Sequence, residues 1–521
     1  MPMHDTASWT DTAGMQSNLG VHLPRFSSEA PPPSRWSREA HQDRPVVAFI
    51  EPMLAAFERG FRTGFARWGF PLGGMSHAVI DGWLFLAEED LTDVDELQRR
   101  LERVETVGDL TELRACARWF STVLMPEVDA RRRAVAPGPL TSCSADELAE
   151  ALVAAYSLLV EFAEQRMANV VGTNLLTSAF LVDGASAGLS RLDCLRHLAG
   201  SSRSTTALAR DAAGHDIGDR QALAEAYSDD LLGTDGTRPP LTPLEGAWWV
   251  KAVAPDLPEP ATTGAPLPDE LVAALADARL AQDVREASRE LFMRLLGRAR
   301  RIAAELGSRL VERGVLEDAD DVAFLTPAEL ASLSGAGASA PSVTALVRSR
   351  RHELAAAAAT PPAPGLGTPL PSTAPLAEMV AAIGPGAMRV FVLAMSWTPS
   401  INGGEPAAAV DAADDGVMRG VPASPGVVTA PVRVVHDVDG LLEVEPGEIL
   451  VCGCTTPAWS VAVSISAGLI ATGGGDCSHP AIVAREFGIP AVVGAAAATS
   501  LRTGDVVTLD GAAGTVALHA A

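Results

Sequence analysis

Lysine is almost missing: Lys251 is the only one in 521 residues, and the other basic side chains are all arginine. Lysine is the usual point-charge binder of β- and γ-phosphates, so its scarcity weighs against a complete nucleotide kinase domain, although arginine can serve. Positive charge is short altogether, with 40 Lys and Arg against 65 Asp and Glu, a formal charge of −25 and a pI near 4.8. Nothing resembles a basic stripe able to neutralise phosphates along a strand, which excludes nucleic acid as the expected partner. No run of about 18 apolar residues occurs, and no basic segment leads into an apolar core at the start, so neither a membrane span nor a leader is read and the expected location is cytoplasmic. Six cysteines are scattered without metal-ligand or disulfide spacing. Reduced core thiols and no metal site are expected, with Cys477 close enough to His479 to raise the question of reactivity.

What is present is a globular balance, 47% apolar and 20% charged, in a chain long enough for two to four domains. Residues 1–44 are rich in Ser, Pro, Thr and Asp without helical or strand period, and read as a disordered or loosely docked tail. From 45 apolar residues recur at helical spacing, and after Gly73 and Gly74 two strand-like runs meet at Asp81-Gly82, a hairpin dipeptide. Helical patterning then dominates to about 355, with Thr141 to Ser144 followed by the acids Asp146 and Glu147 marking one helix start. Residues 356–420 are dense in Ala, Pro and Gly and read as a linker. Residues 421–521 alternate short β-branched runs with turns, as in a compact β/α domain.

The most informative stretch is ATGGGDCSHPAIVAREFGIPAVVG at 471–494. Gly473, Gly474 and Gly475 leave backbone N–H groups free to turn toward a ligand. Ser478, His479 and Pro480 read as a helix start, Gly488 as its left-handed end, and Pro490 as the stop. His479 therefore stands where the helix dipole and unpaired N–H groups favour an anion such as phosphate.

This stretch resembles the phosphohistidine, or swivelling, domain of phosphoenolpyruvate-utilising enzymes, and the likeness continues through VPASPG at 421–426, PGEILV at 446–451, TTPAW at 455–459, Gly504-Asp505, Asp510-Gly511 and Gly514. The resemblance implies that His479 is phosphorylated on a ring nitrogen and ferries the group between two sites, with Gly473, Gly474, Gly475 and Ser478 around the phosphate. Two roles are open to Arg485, phosphate binding or a structural pair with Glu486 or a nearby strand. Residues 45–355, weakly but in the same order, resemble the acceptor domain of rifampicin phosphotransferase. His77 is a candidate there. Arg238 is another, for an anion or a structural pair, in a Gly236-Thr237-Arg238 run where relatives often have Gly-His-Arg. The missing histidine leaves the acceptor's identity open.

The expected architecture is α+β: a large, mainly α-helical acceptor-binding domain followed by a compact C-terminal β/β/α swivelling domain. The ATP-grasp pattern of the complete enzymes is not found, and neither is a pyruvate-binding barrel. The expectation is a split enzyme: a separate ATP-grasp protein, carrying ATP and Mg²⁺, loads His479, which passes phosphate to a small organic acceptor. No cofactor is assigned to this chain. The alternative is a non-catalytic phosphocarrier whose helical region binds a protein.

Overall fold

A computed structural model of the protein describes residues 18–32, 34–39, 44–136, 138–206, 260, 265–335, 340–367, 384–402, 417–436, 438–455 and 459–519. Arg238 lies outside them, as do His215 and Thr456.

The first long helix, α1 (Glu51–Trp68), starts with Pro52 in its first turn and ends on Gly69 in the left-handed region. The hairpin β3 (Leu72–Ile80) and β4 (Trp83–Asp90) turns at Asp81 and Gly82, both with positive φ, as that dipeptide indicates. Two corrections follow from the sheet to which it belongs. The stretch read as a tail supplies β1 (Arg25–Phe26), parallel to β3, and β2 (Trp36–Arg38), antiparallel to β4. Leu19, Leu23 and Trp36 are buried, and the buried Glu51 carboxylate accepts the Leu23 N–H at 2.8 Å and pairs with Arg25. Strands of two and three residues are too short to leave a readable period.

The stretch read as a linker is likewise partly structural. Within it β5 (Gly365–Leu366) extends the same sheet beside β2. A helix at Pro385–Asn402 buries Ala387, Val390 and Leu393, and Glu105 accepts the Ala387 N–H at 2.7 Å. Small residues permit that docking: a Cβ on Gly108 would stand 2.5 Å from the Gly386 backbone. An Ala/Pro/Gly-rich composition thus encodes close helix contact as well as loops.

The helical core is built on α2 (Ala145–Ser186) and α3 (Val272–Glu312), which pack along much of their length; α4 (Arg191–Leu198) lies against one end. The start marked by Asp146 and Glu147 is closed by a capping box between Ser144 and Glu147.

The C-terminal sheet has the order β6-β13-β12-β8-β9-β10-β11-β7, from β6 (Val417–Arg419), β7 (Val421–Ser424), β8 (Val427–Val434), β9 (Ile449–Cys452), β10 (Gly468–Ala471), β11 (Ala491–Val493), β12 (Val506–Asp510) and β13 (Thr515–Leu518). Its centre, β8 to β11, is parallel, and β9, β10 and β11 are buried on both faces while β8 is largely exposed or half-buried. Leu469 and Ala471 pack beneath the helices at Ser460–Ile465 and His479–Glu486, while Ile470 joins Val432 and Val507 on the opposite face. The fold is α+β, a large helical region followed by this sheet module. The module's Cys477 packs with Leu195, Leu198 and Phe180, and Glu486 accepts the Ser202 N–H at 2.9 Å, so the helix bearing His479 is docked on the helical region.

Candidate functional site

β10 ends at Ala471, and the loop after it is tied down by its own backbone. Thr472 N–H donates to Cys452 O at 2.8 Å, and Gly473 N–H to Gly453 O at 3.1 Å. The Gly473 amide is therefore engaged in the fold, contrary to its expected phosphate role. Gly474 carries the positive φ that requires glycine, and the Gly475 carbonyl accepts Ser478 N–H at 2.9 Å. The helix then runs from His479 to Glu486 with Pro480 in its first turn, Gly488 left-handed behind it. Ser478 occupies the cap position, but its hydroxyl makes no capping bond and is buried without a partner among the described residues. A hydroxyl so placed is available to a ligand oxygen.

The His479 ring is buried, and its Nδ1 lies 2.8 Å from Oε2 of Glu286 on α3. An ionised carboxylate only accepts, so the proton sits on Nδ1 and the lone pair on Nε2. Nε2 has no partner among the described residues. Burial holds His479 below the ordinary imidazole range; the Glu286 hydrogen bond pulls the other way, and Arg289 and Arg285 add to the lowering. For Glu286 burial opposes ionisation, but Arg285, His479 and Arg289 outweigh it and hold the carboxyl well below its usual range. The neutral imidazole with an ionised neighbour is the form that can act as a nucleophile.

Arginines gather around this pair. Arg285 lies 3.0 Å from Glu286, Arg289 donates to Thr455 O at 3.2 Å across the seam, and Arg166 on α2 donates to Ser288 Oγ at 3.2 Å. Arg166 and Arg289 are pushed downward chiefly by burial, Arg166 also by Arg289 and Arg285, and Arg289 also by Arg285. Guanidinium does not give up its proton, so this is an electrostatic cost that an anion between them would relieve. Beside His479 the seam is closed by a two-pronged ion pair, Arg191 on α4 with Asp476.

Arg485 makes the structural contact with a nearby strand, β7, rather than with Glu486. Its fully buried guanidinium donates to the carbonyls of Ala423 and Asp476, each at 2.8 Å, bracing the loop from behind. His77 is buried on β3, its Nδ1 3.0 Å from Met75 O and its ring stacked on Phe61, and burial lowers its pKa. Burial also pushes the Cys477 thiol up to about 12, which removes it as a nucleophile in this docked arrangement. Glu286, Arg285, Arg289, Arg166, Arg191 and Asp476 are absent from the residues that the sequence motif singles out. One signal could have found the first of them. Along α3 the buried stripe Leu275, Ala278, Gln282, Glu286, Met293 and Leu296 keeps helical spacing, and Gln282 and Glu286 are polar where the pattern demands apolar residues.

Residues 444–514 match the family model of the PEP-utilising enzyme, mobile domain. The chain is 44% identical over 98 residues to the uncharacterized phosphotransferase YvkC of Bacillus subtilis (strain 168), 19% of this chain and 12% of that one. Phosphoenolpyruvate synthase of Aeropyrum pernix is 44% identical over 102 residues, again 19% of this chain and 12% of the relative. The uncharacterized protein Rv2047c of Mycobacterium tuberculosis is 34% identical over 260 residues, 50% of this chain and 26% of the relative, a match long enough to reach into the helical region. The chain thus spans between 12 and 26% of the length of these relatives. Residues 444–514, with His479 among them, are thus a mobile domain of the kind found in PEP-utilising enzymes.

Proposed function

We propose that this chain is the acceptor-side part of a phosphotransferase in which His479 carries a phosphoryl group from an ATP-grasp partner protein to a small organic acceptor held by the helical region. The observation that carries this reading is His479 itself: a buried, neutral imidazole with Nδ1 hydrogen-bonded to Glu286 and Nε2 unpartnered among the described residues, docked where Arg285 and Arg289 converge. In this reading residues 45–355 hold the acceptor, 421–521 travel, and the segment between them allows the travel. Its single lysine favours a separate nucleotide-binding chain.

The chemistry has two steps. At the partner, where ATP and Mg²⁺ reside, the Nε2 lone pair attacks the γ-phosphorus and the bond to the ADP oxygen breaks. Back at the helical region, an acceptor oxygen attacks the same phosphorus, the P–N bond breaks, and its electron pair returns to Nε2. The Ser478 hydroxyl and the Gly474 and Gly475 turn lie beside His479 to receive phosphoryl oxygens, and the arginines offset their charge. The acceptor's proton leaves to solvent, and neutral His479 is regenerated.

The test is incubation of the purified chain with a cytoplasmic ATP-grasp protein encoded beside it and γ-labelled ATP. An acid-labile, base-stable label on the wild type and none on His479→Ala is the expected result. Equal labelling of that variant overturns the reading, and labelling with no small-molecule acceptor consumed in an extract leaves a phosphocarrier instead.

A further inference from the structure

Glu286 and His479 sit in different parts of the molecule, one on α3 and one on the module that in the proposed function must travel. Their hydrogen bond therefore exists only while the module is docked here. We propose that Glu286 is a positioning residue that makes the phosphoryl group on His479 transferable only at this station, by holding the proton on Nδ1 while the P–N bond breaks. This rests on His479 being the phosphoryl carrier.

The protonation state of Nδ1 sets the leaving group. When Nε2 bears phosphorus and Nδ1 bears a proton, breaking the P–N bond expels a neutral imidazole. When Nδ1 has lost its proton, the same step expels an imidazolate, a far stronger base and a far poorer leaving group. In transit Nδ1 faces water, and above the imidazole range of about 6.5 it tends to shed its proton. That keeps the phosphoryl group on its carrier. Docking places the Glu286 carboxylate 2.8 Å from Nδ1, and the ring regains one proton from solvent. On transfer the acceptor O–P bond forms, the P–Nε2 bond breaks, its electron pair stays on Nε2, and the Nδ1 proton does not move.

The charges facing the ring decide the sign. From α3 come Glu286, Arg285 and Arg289, with Arg166 on α2 and Asp283 one turn before within reach of Glu286; of the module's groups, Cys477 and Arg485 act on Arg285 and Asp476, and Cys454 on Arg289. In the unphosphorylated protein burial, Arg285 and Arg289 outweigh Glu286, so the ring is neutral. A phosphoryl dianion on Nε2 cancels the two arginine charges. Glu286 is then the uncompensated neighbour, and protonation of Nδ1 is favoured. Asp476 is already committed to Arg191.

The test uses the full chain phosphorylated chemically with phosphoramidate, which needs no partner. The ³¹P resonance of the phosphohistidine is followed from pH 5 to 10, and its midpoint reports the Nδ1 proton. The same sample in urea gives the reference. The folded wild type is expected to titrate at least one pH unit above the urea reference, a tenfold preference for the protonated form. E286Q, which keeps size and hydrogen bonding but not charge, is expected to fall to or below the reference. R191Q, which loosens docking away from the ring, is expected to move toward it. A wild-type midpoint at the reference, or one that E286Q or R191Q leaves in place, overturns the proposal while His479 remains a carrier. Incorporation no greater than in H479A removes the carrier reading and the proposal with it.

Discussion

Arg191 and Asp476 are 285 residues apart in the chain and meet in a two-pronged ion pair, three residues before His479. Asp476 is buried while Arg191 keeps 44% of its side chain exposed, so the pair closes the rim of the seam between the helical region and the mobile domain. A bidentate pair with one partner buried lies between the exposed and the fully buried cases, and removing the arginine is expected to cost docking about 1–3 kcal/mol. Arg191→Ala should therefore speed amide exchange at 479–487 and 195–202 by at least tenfold in hydrogen-exchange mass spectrometry. Unchanged protection there means that the rest of the seam holds the module unaided.

Cys477 offers a chemical readout of the same event. Its thiol is packed among Leu195, Leu198, Phe180 and Cys194, and burial raises its pKa to about 12. Alkylation by iodoacetamide at pH 8 is expected to be slow in the wild type, with the half-exposed Cys143 and Cys454 reacting first. In Arg191→Ala the peptide bearing Cys477 should label several-fold faster. Rapid labelling of Cys477 in the wild type is inconsistent with the docked arrangement as the main state.

The mobile domain was legible because its signals are local: three glycines, a serine and a histidine before a short helix, and Gly488 with Pro490 after it, dictate backbone shape within a few residues. The helical region was legible in outline for a related reason, since apolar spacing along α2 and α3 and the acids Asp146 and Glu147 at a helix start need no knowledge of partners. The parts that were not legible all depend on contacts distant in sequence. Residues 25–26 and 36–38 become strands only because β3 and β4 offer open edges. Gly473 looks available until Gly453, twenty residues earlier, takes its amide. Glu286 is the sharpest instance: nothing near it names a partner, and only its polar character in an apolar stripe marks it. His77 and Arg238 came from the weaker part of the resemblance. The first is buried in the sheet and the second lies outside the described residues.

Helix packing in the helical region makes a stability prediction. α1 lies against α2 through glycines: a Cβ on Gly60 would come within 2.5 Å of the Glu164 carbonyl, and one on Gly172 within 2.5 Å of the Trp68 indole nitrogen. Trp68 is buried and donates to Ala168 O at 3.0 Å, so the ring has little room to yield. Gly172→Ala is expected to cost about 1–3 kcal/mol by overpacking, even though alanine is the better helix former. Calorimetry should show a lower Tm. A raised Tm implies that the two helices can separate slightly at no cost.

Docking itself should depend on pH, with a sign fixed by the groups at the seam. Both His479 and Glu286 are lowered in the docked protein. A lowered group contributes stability that is whole above its undocked pKa and is lost as pH falls below it. For His479 that loss begins below about 6.5, and for Glu286 below about 4.3. Asp283, raised by burial and by Glu286, works in the opposite sense and gains as acid protonates it. Cys477, raised by burial, keeps its proton throughout this window. Between pH 7.5 and 5.5 His479 is thus the group that titrates, and the module should loosen as the medium is acidified. Small-angle scattering at intervals across that range should record a growing radius of gyration for the wild type and a flat profile for His479→Ala, whose seam has lost the titrating ring. A wild-type radius that stays constant, or one that grows equally in the alanine variant, rules out protonation of His479 as the step that opens the seam.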